Sequence, residues 1–293
     1  MYTHERAGDG AHPRCKPPSH ETTRHAHLIL PPASFLSQHH YDLIFNAFAV
    51  RQVARWNLPI EPAAPEERAD WEIFNGLGAA YAAAANKPWK PLPAPELMIE
   101  AGLTRAGRVD PAHVRDAEHG LDLGPLEPSL LRRLETPSGK IECASPLLLA
   151  ELESLAAQAT AEADATLSLI GRRDVRSNNS WMHNAERLVK GKLRHHLHMH
   201  PEDLATRKLT EGSRVRVRSI IGSIETEVLG DAGLMRGVVC LPHGFGHDRG
   251  GVGWTRAATV AGASYNDLTD TASLDAPSGN AALNGTPVWV EAL

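Results

Sequence analysis

The spacing of apolar and polar residues divides the chain into a mixed first half and a second half of short alternating stretches. The clearest is Ser213-Arg-Val-Arg-Val-Arg-Ser-Ile220. Its strict alternation predicts a half-buried strand with Val215 and Val217 inward and Arg214, Arg216 and Arg218 on a solvated face. Ile221-Gly-Ser223 turns the chain into a second strand over 224–229, and Gly237-Val-Val-Cys-Leu241 reads as a third, ending at Pro242-His-Gly-Phe-Gly-His247. Pro201 opens a short helix over 201–209, because proline suits a first helical turn. Upstream, Leu167, Leu169 and Ile170 form an apolar run that stops at Gly171. Short strands with one helix between them predict a small closed barrel over 165–293.

The first half alternates less regularly. Residues 1–24 are polar and proline-containing, a poorly ordered lead-in. Residues 25–95 read as a partial α/β domain. It has a short strand at His25–Pro32, a helix or helix–turn over 41–56, and a helix from Asp70, with Trp71, Phe74 and Leu77 on one face and Asp70 as N-cap. Residues 96–164 form a connecting segment: a short helix begins near Pro95, 120–128 is loop, Pro137–Gly139 suits a hairpin turn, and Pro146–Thr160 is a Leu- and Ala-rich helix. The fold class expected is thus an α/β N-terminal piece followed by a mainly β domain.

Composition narrows the function. At 293 residues, 42% hydrophobic and 22% charged, the chain can bury two ordinary cores. Its formal charge of -5 argues against nucleic acid or a membrane surface as partner. Cys15, Cys143 and Cys240 form no C-x-x-C, so no iron–sulfur cluster is expected in this chain, and the expected compartment is cytoplasmic.

The chemistry concentrates in Leu169-Ile-Gly-Arg-Arg-Asp-Val-Arg-Ser-Asn-Asn-Ser-Trp-Met-His-Asn184, with three arginines, three asparagines and two serines. Guanidinium forks suit phosphate oxygens, and amides and hydroxyls suit the edges of a heterocycle. The competing reading is a capped surface loop. His195, His196, His198 and His200 invite a metal site, but no carboxylate or thiol stands at ligand spacing, so satisfied histidines are expected. Cys240 reads as buried and inert.

This loop, His200-Pro-Glu-Asp203 with Leu209-Thr-Glu-Gly-Ser-Arg-Val-Arg-Val217, Pro242–His247, Tyr265-Asn-Asp-Leu-Thr-Asp270 and Ser278-Gly-Asn280 occur in an order that resembles the C-terminal portion of the molybdopterin oxidoreductases, the dimethyl sulfoxide reductase superfamily, especially its biotin sulfoxide reductase-like and formate dehydrogenase-like members. Thr136–Glu142 and Leu30–Phe35 resemble further family landmarks. The resemblance implies a six-stranded double-psi β-barrel that closes over bis(molybdopterin guanine dinucleotide). It implies cofactor contacts from Gly171, Arg172, Arg173, Ser177, Asn178, Asn179 and His183, with His243, Gly244, Asn266, Asp267, Ser278, Gly279 and Asn280 completing the wall. It implies no catalytic residue here, molybdenum ligated outside this chain, and missing N-terminal molybdoenzyme domains or a subunit as partner. The rival is a stand-alone barrel serving as a binding module, or a truncated inactive fragment.

Overall fold

The computed structural model describes residues 20–159 and 166–293, so most of the expected lead-in lies outside the described residues. The chain forms two compact units, one spanning Leu28–Ile141 and the other Glu142–Leu293 together with residues 20–27.

In the first unit, β1 (His40–Tyr41) pairs with β3 (Trp56–Asn57), and β2 (Arg51–Ala54) pairs with β4 (Leu121–Pro125), both antiparallel. The helices are α1 (Asp70–Ala84), α2 (Pro95–Ala106) and α3 (Pro111–Asp116). A small core of Ala54, Trp56, Leu103 and Val114 ties α2 and α3 to these ribbons, and the Arg115 guanidinium lies 4.6 Å from the Trp56 ring centroid. Several local expectations change here. The stretch 26–34 carries no strand, and 41–56 is a 3-10 turn at Phe45–Phe48 followed by β2 and β3 instead of a helix. Residues 121–125, expected as loop, are β4, because pairing with β2 satisfies a backbone that propensity alone leaves open. Around Pro137–Gly139 a turn forms, with the Gly139 N–H donating to the Thr136 carbonyl, but no strands flank it. Asp70 is the first helical residue and Ala69 the N-cap, whose N–H donates to Glu72 Oε2 at 2.8 Å.

After α4 (Pro146–Ala159), the second unit contains the expected barrel. Its strands are β5 (Leu167–Arg172), β6 (Leu197–Met199), β7 (Arg214–Arg218), β8 (Ser223–Gly230), β9 (Val238–Pro242) and β10 (Thr286–Ala292), closed in the order β10-β5-β9-β6-β8-β7. Pairings β5–β9 and β6–β8 are parallel and the other four antiparallel, so the sheet is mixed. Short helices α5 (Glu186–Val189), α6 (Pro201–Thr206) and α7 (Thr255–Ala258) cover the connections. Alternation does what it predicts: Val215 and Val217 are fully buried, in register with Thr226 and Ile224 of β8. Arg214 and Arg216 instead meet Glu225 on the outer face, and Arg218 lies over Trp289. The interior is filled by Leu167, Leu169, Leu197, Met199, Val228, Val239, Leu241 and Val288, a dry apolar plug with no lumen. Function is therefore confined to the barrel's ends and connecting loops.

Candidate functional site

β5 and β9 run parallel and finish together, with Gly171 beside Leu241 and Arg172 beside Pro242. Each strand then releases its polar continuation at the same end of the barrel, which brings the 171–184 loop against the 242–247 turn. The joint is tight. Gly244 has φ +88, and a Cβ there would stand 2.6 Å from the Asn179 carbonyl oxygen, so only glycine permits the approach. The His243 N–H donates to the Arg172 carbonyl at 3.2 Å. Asn178 and Asn179 adopt φ 41 and φ 62, left-handed conformations that asparagine tolerates better than most residues.

Arg172 reaches sideways across the sheet end. Its Nη1 lies 3.4 Å from Asp231 Oδ2 and 3.3 Å from His198 Nδ1. Arg194 lies 3.6 Å from Asp174 Oδ1. These two arginines, with His196, His198, Leu193, Leu229 and Phe245, line a hollow of about 190 Å³. The ion pairs are long and partly exposed, so an incoming anion can replace them at small cost. Burial and then the Arg172 charge push His198 below the usual imidazole range, which keeps it a neutral partner near neutral pH. Arg173 donates to the Asn179 side chain and stays exposed, while burial and then Arg173 lower His243.

Ser177 and His183 sit deeper. His183 is 3% exposed, and both its ring nitrogens are engaged: Nε2 with Ser177 Oγ at 2.7 Å and Nδ1 with His247 Nε2 at 2.8 Å. Burial, reinforced by His247, pushes its pKa down to about 4. With both nitrogens used internally, its geometry is that of a group that shapes the loop. His195 is likewise internal, accepting from the Ala263 N–H at 3.2 Å with its pKa pushed by burial to about 4.

The remaining expected positions lie further along the chain. Gly171 donates to Asn284 Oδ1 at 2.8 Å, which ties the 283–285 segment to the root of the loop, and Tyr265 donates to the Leu283 carbonyl beside it. Asn266 follows Tyr265 and is exposed, while Asp267 is held by the Arg249 guanidinium. Ser278, Gly279 and Asn280 close their own turn: the Ser278 and Gly279 N–H groups donate to Asp275, and Asp275 donates to the Asn280 carbonyl. No hydrogen bond described joins that turn to the 171–184 loop. The sequence does not single out Arg194 or Asp231 and reads His198 only as a satisfied histidine, because Asp231 and His198 meet Arg172 only once β6 and β8 lie side by side. Cys240 is buried with its thiol pKa raised by burial, as expected. Among the described residues no group of three His, Cys, Asp or Glu is placed to hold a metal ion, and no helix is long and apolar enough to cross a membrane.

The arrangement fits an anionic dinucleotide: guanidinium groups and imidazoles around a hollow, with amides and a hydroxyl on the adjoining loop. Acetylene hydratase from Pelobacter acetylenicus matches with TM-score 0.55 and 17% identity over 89% of this chain and 37% of its own, so the present chain spans little more than a third of that length. Among curated protein sequences none matches the chain. The model of the Molydopterin dinucleotide binding domain matches residues 167–287, the barrel with its loops.

Proposed function

We propose that the chain is the C-terminal part of a molybdenum-dependent oxidoreductase and that its barrel end anchors molybdopterin guanine dinucleotide. The observation that carries this reading is the meeting of Arg172 and Arg194 with His196 and His198 around one hollow, next to the Arg173–Asn179 loop, inside the matched segment. Arg172 and Arg173 would hold phosphate oxygens. Asn178, Asn179 and His243 would take the heterocycle edges, with Gly171 and Gly244 leaving room for the ligand and the loop backbone. Asn266, Asp267, Ser278, Gly279 and Asn280 would form the outer wall. Ser177 and His183 would fix the loop from beneath. Bound there, the cofactor would supply the metal-centred redox chemistry, with molybdenum ligated by residues of another domain or subunit. The chain's own part is to bind, orient and neutralise charge. A chain spanning 37% of its structural relative supports the need for such further domains.

The test is retention. The full chain, incubated with molybdopterin guanine dinucleotide released from a molybdoenzyme and passed through gel filtration, should carry pterin fluorescence with the protein peak. Free guanosine monophosphate in excess should reduce it, because it competes for the nucleotide end alone. A protein peak free of pterin at saturating cofactor would exclude this reading for the chain by itself.

A further inference from the structure

Beneath the loop, four side chains form one unbroken hydrogen-bonded line that continues past Ser177 and His183 to the surface. Ser177 Oγ meets His183 Nε2 at 2.7 Å, His183 Nδ1 meets His247 Nε2 at 2.8 Å, and His247 Nδ1 meets Glu21 Oε1 at 2.7 Å. The three inner residues are buried, whereas the Glu21 side chain keeps 41% of its surface in solvent. At the inner end, Ser177 and His183 line a cavity of about 110 Å³ walled by Leu188, Val189, Phe245 and Val260. The line therefore runs from solvent to a cavity through the protein interior.

Its direction follows from elementary bonding. Burial opposes ionisation of Glu21, but its own backbone N–H and then His247 outweigh that and hold the carboxyl below its usual range. An ionised carboxylate only accepts. An unprotonated His247 facing that carboxylate carries its proton on Nδ1 and presents Nε2 as an acceptor. His183 must likewise carry Nδ1–H and present Nε2, so the Ser177 hydroxyl donates inward and turns its lone pairs towards the cavity. Phe245, with its centroid 4.3 Å from that of His183, closes the ring from the side.

We propose that Glu21, His247, His183 and Ser177 form a directional proton relay, poised to accept a proton from a neutral ligand bearing an acidic N–H or O–H in the cavity. The transfer balances without an ion on either imidazole. The ligand proton goes to Ser177 Oγ, the serine proton to His183 Nε2, the His183 Nδ1 proton to His247 Nε2, and the His247 Nδ1 proton to the Glu21 carboxylate, which releases it to water. The ligand is left as the anion, facing Arg176, Lys192 and Arg194 on the cavity wall. The other titratable groups facing the line are Asp174 and His243 beside His183 and His20 beside Glu21. The proposal does not depend on the dinucleotide, although Leu193, Arg194 and Phe245 border both this cavity and the hollow at Arg172.

Histidine tautomers report it directly. In the full chain labelled with nitrogen-15, NMR at neutral pH should show His183 and His247 both as Nδ1–H tautomers, each in at least about tenfold excess over the other form. Glu21→Lys replaces the acceptor with a donor. It should turn both rings to Nε2–H, including His183, which residue 21 does not touch. His247→Phe should uncouple His183 from residue 21, and Glu21→Asp should restore the wild-type pattern. An Nε2–H tautomer at His183 in the wild type would overturn the proposal, and this holds even where a variant fails to fold. So would a His183 tautomer indifferent to Glu21→Lys at unchanged circular dichroism. Hydrogen bonding alone would give the same flip, so transfer is read from the fraction of para-nitrophenol bound as the anion, which should fall in Glu21→Lys; an unchanged fraction would overturn the relay.

Discussion

At the scale of single residues, the backbone demands of the loop are as specific as its side chains. Gly244→Ala forces a Cβ against the Asn179 carbonyl at a positive φ, so it should cost on the order of 1–3 kcal/mol, read from the thermal midpoint. Loss of cofactor retention should accompany it, because Asn179 must move. Burial also makes the protein acid-sensitive. His183 and His195 have folded pKa values pushed from 6.5 down to about 4. Between those values the unfolded chain binds more protons than the folded one. The stability that rests on their neutral forms is thus complete above pH 6.5 and lost as pH falls towards 4, with a slope of up to about 1.4 kcal/mol per pH unit for each histidine. Denaturant midpoints measured from pH 7 to pH 4 should fall continuously, and the fall should weaken in His195→Phe. The sequence displays Arg172, Arg173 and the asparagines openly as candidates for a polar ligand. It does not display that His183 has both nitrogens engaged, because His247 and Glu21 lie 64 and 226 positions away from their partners along the chain.

At the scale of elements, legibility follows the range of the pairing. β7 and β8 form a local hairpin with strict alternation, and their core residues are evident from the sequence. β6 has only three residues in a histidine-rich stretch and is defined by β8 and β9 on either side. β10 carries its own signal, Val288 and Val290 alternating with outward residues, but Pro287 disguises it, and it closes the barrel against β5 and β7 from the far end of the chain. In the first unit, β2 and β4 are separated by a long stretch of sequence and are too short to show a period, so helix and loop readings prevailed there. The energetic consequence is testable. Leu241→Ala in the fully buried centre of β9 should cost about 2–5 kcal/mol, while Arg214→Ala on the outer face of β7 should stay within about 0.5 kcal/mol. Equal costs in chemical denaturation would mean that the inward and outward faces of the barrel are wrongly assigned.

At the scale of the whole molecule, the first unit exposes a continuous apolar run. Leu43 is 82%, Phe48 80% and Val50 89% accessible, with Ile44 and Phe45 between them. Contiguous exposed apolar surface of this kind marks a contact face. Produced alone, the protein should bind the dye anilinonaphthalene sulfonate, and Leu43→Ser with Phe48→Ser should remove much of that signal without altering the melting temperature. The barrel strands, by contrast, turn their apolar residues inward, so limited proteolysis should leave a resistant fragment containing 166–293.

The anchoring of a dinucleotide by the two arginines at the end of β5 is the central claim, and a titration decides it. The dissociation constant of released molybdopterin guanine dinucleotide is measured by pterin fluorescence for the wild type and for Arg172→Ala/Arg173→Ala at low and high salt. Each charge-assisted bond contributes about 1.5–3 kcal/mol, so the double variant should bind at least about tenfold more weakly, and the gap should narrow as salt screens the phosphates. Equal dissociation constants at matched folding, or a gap indifferent to salt, would contradict the assignment.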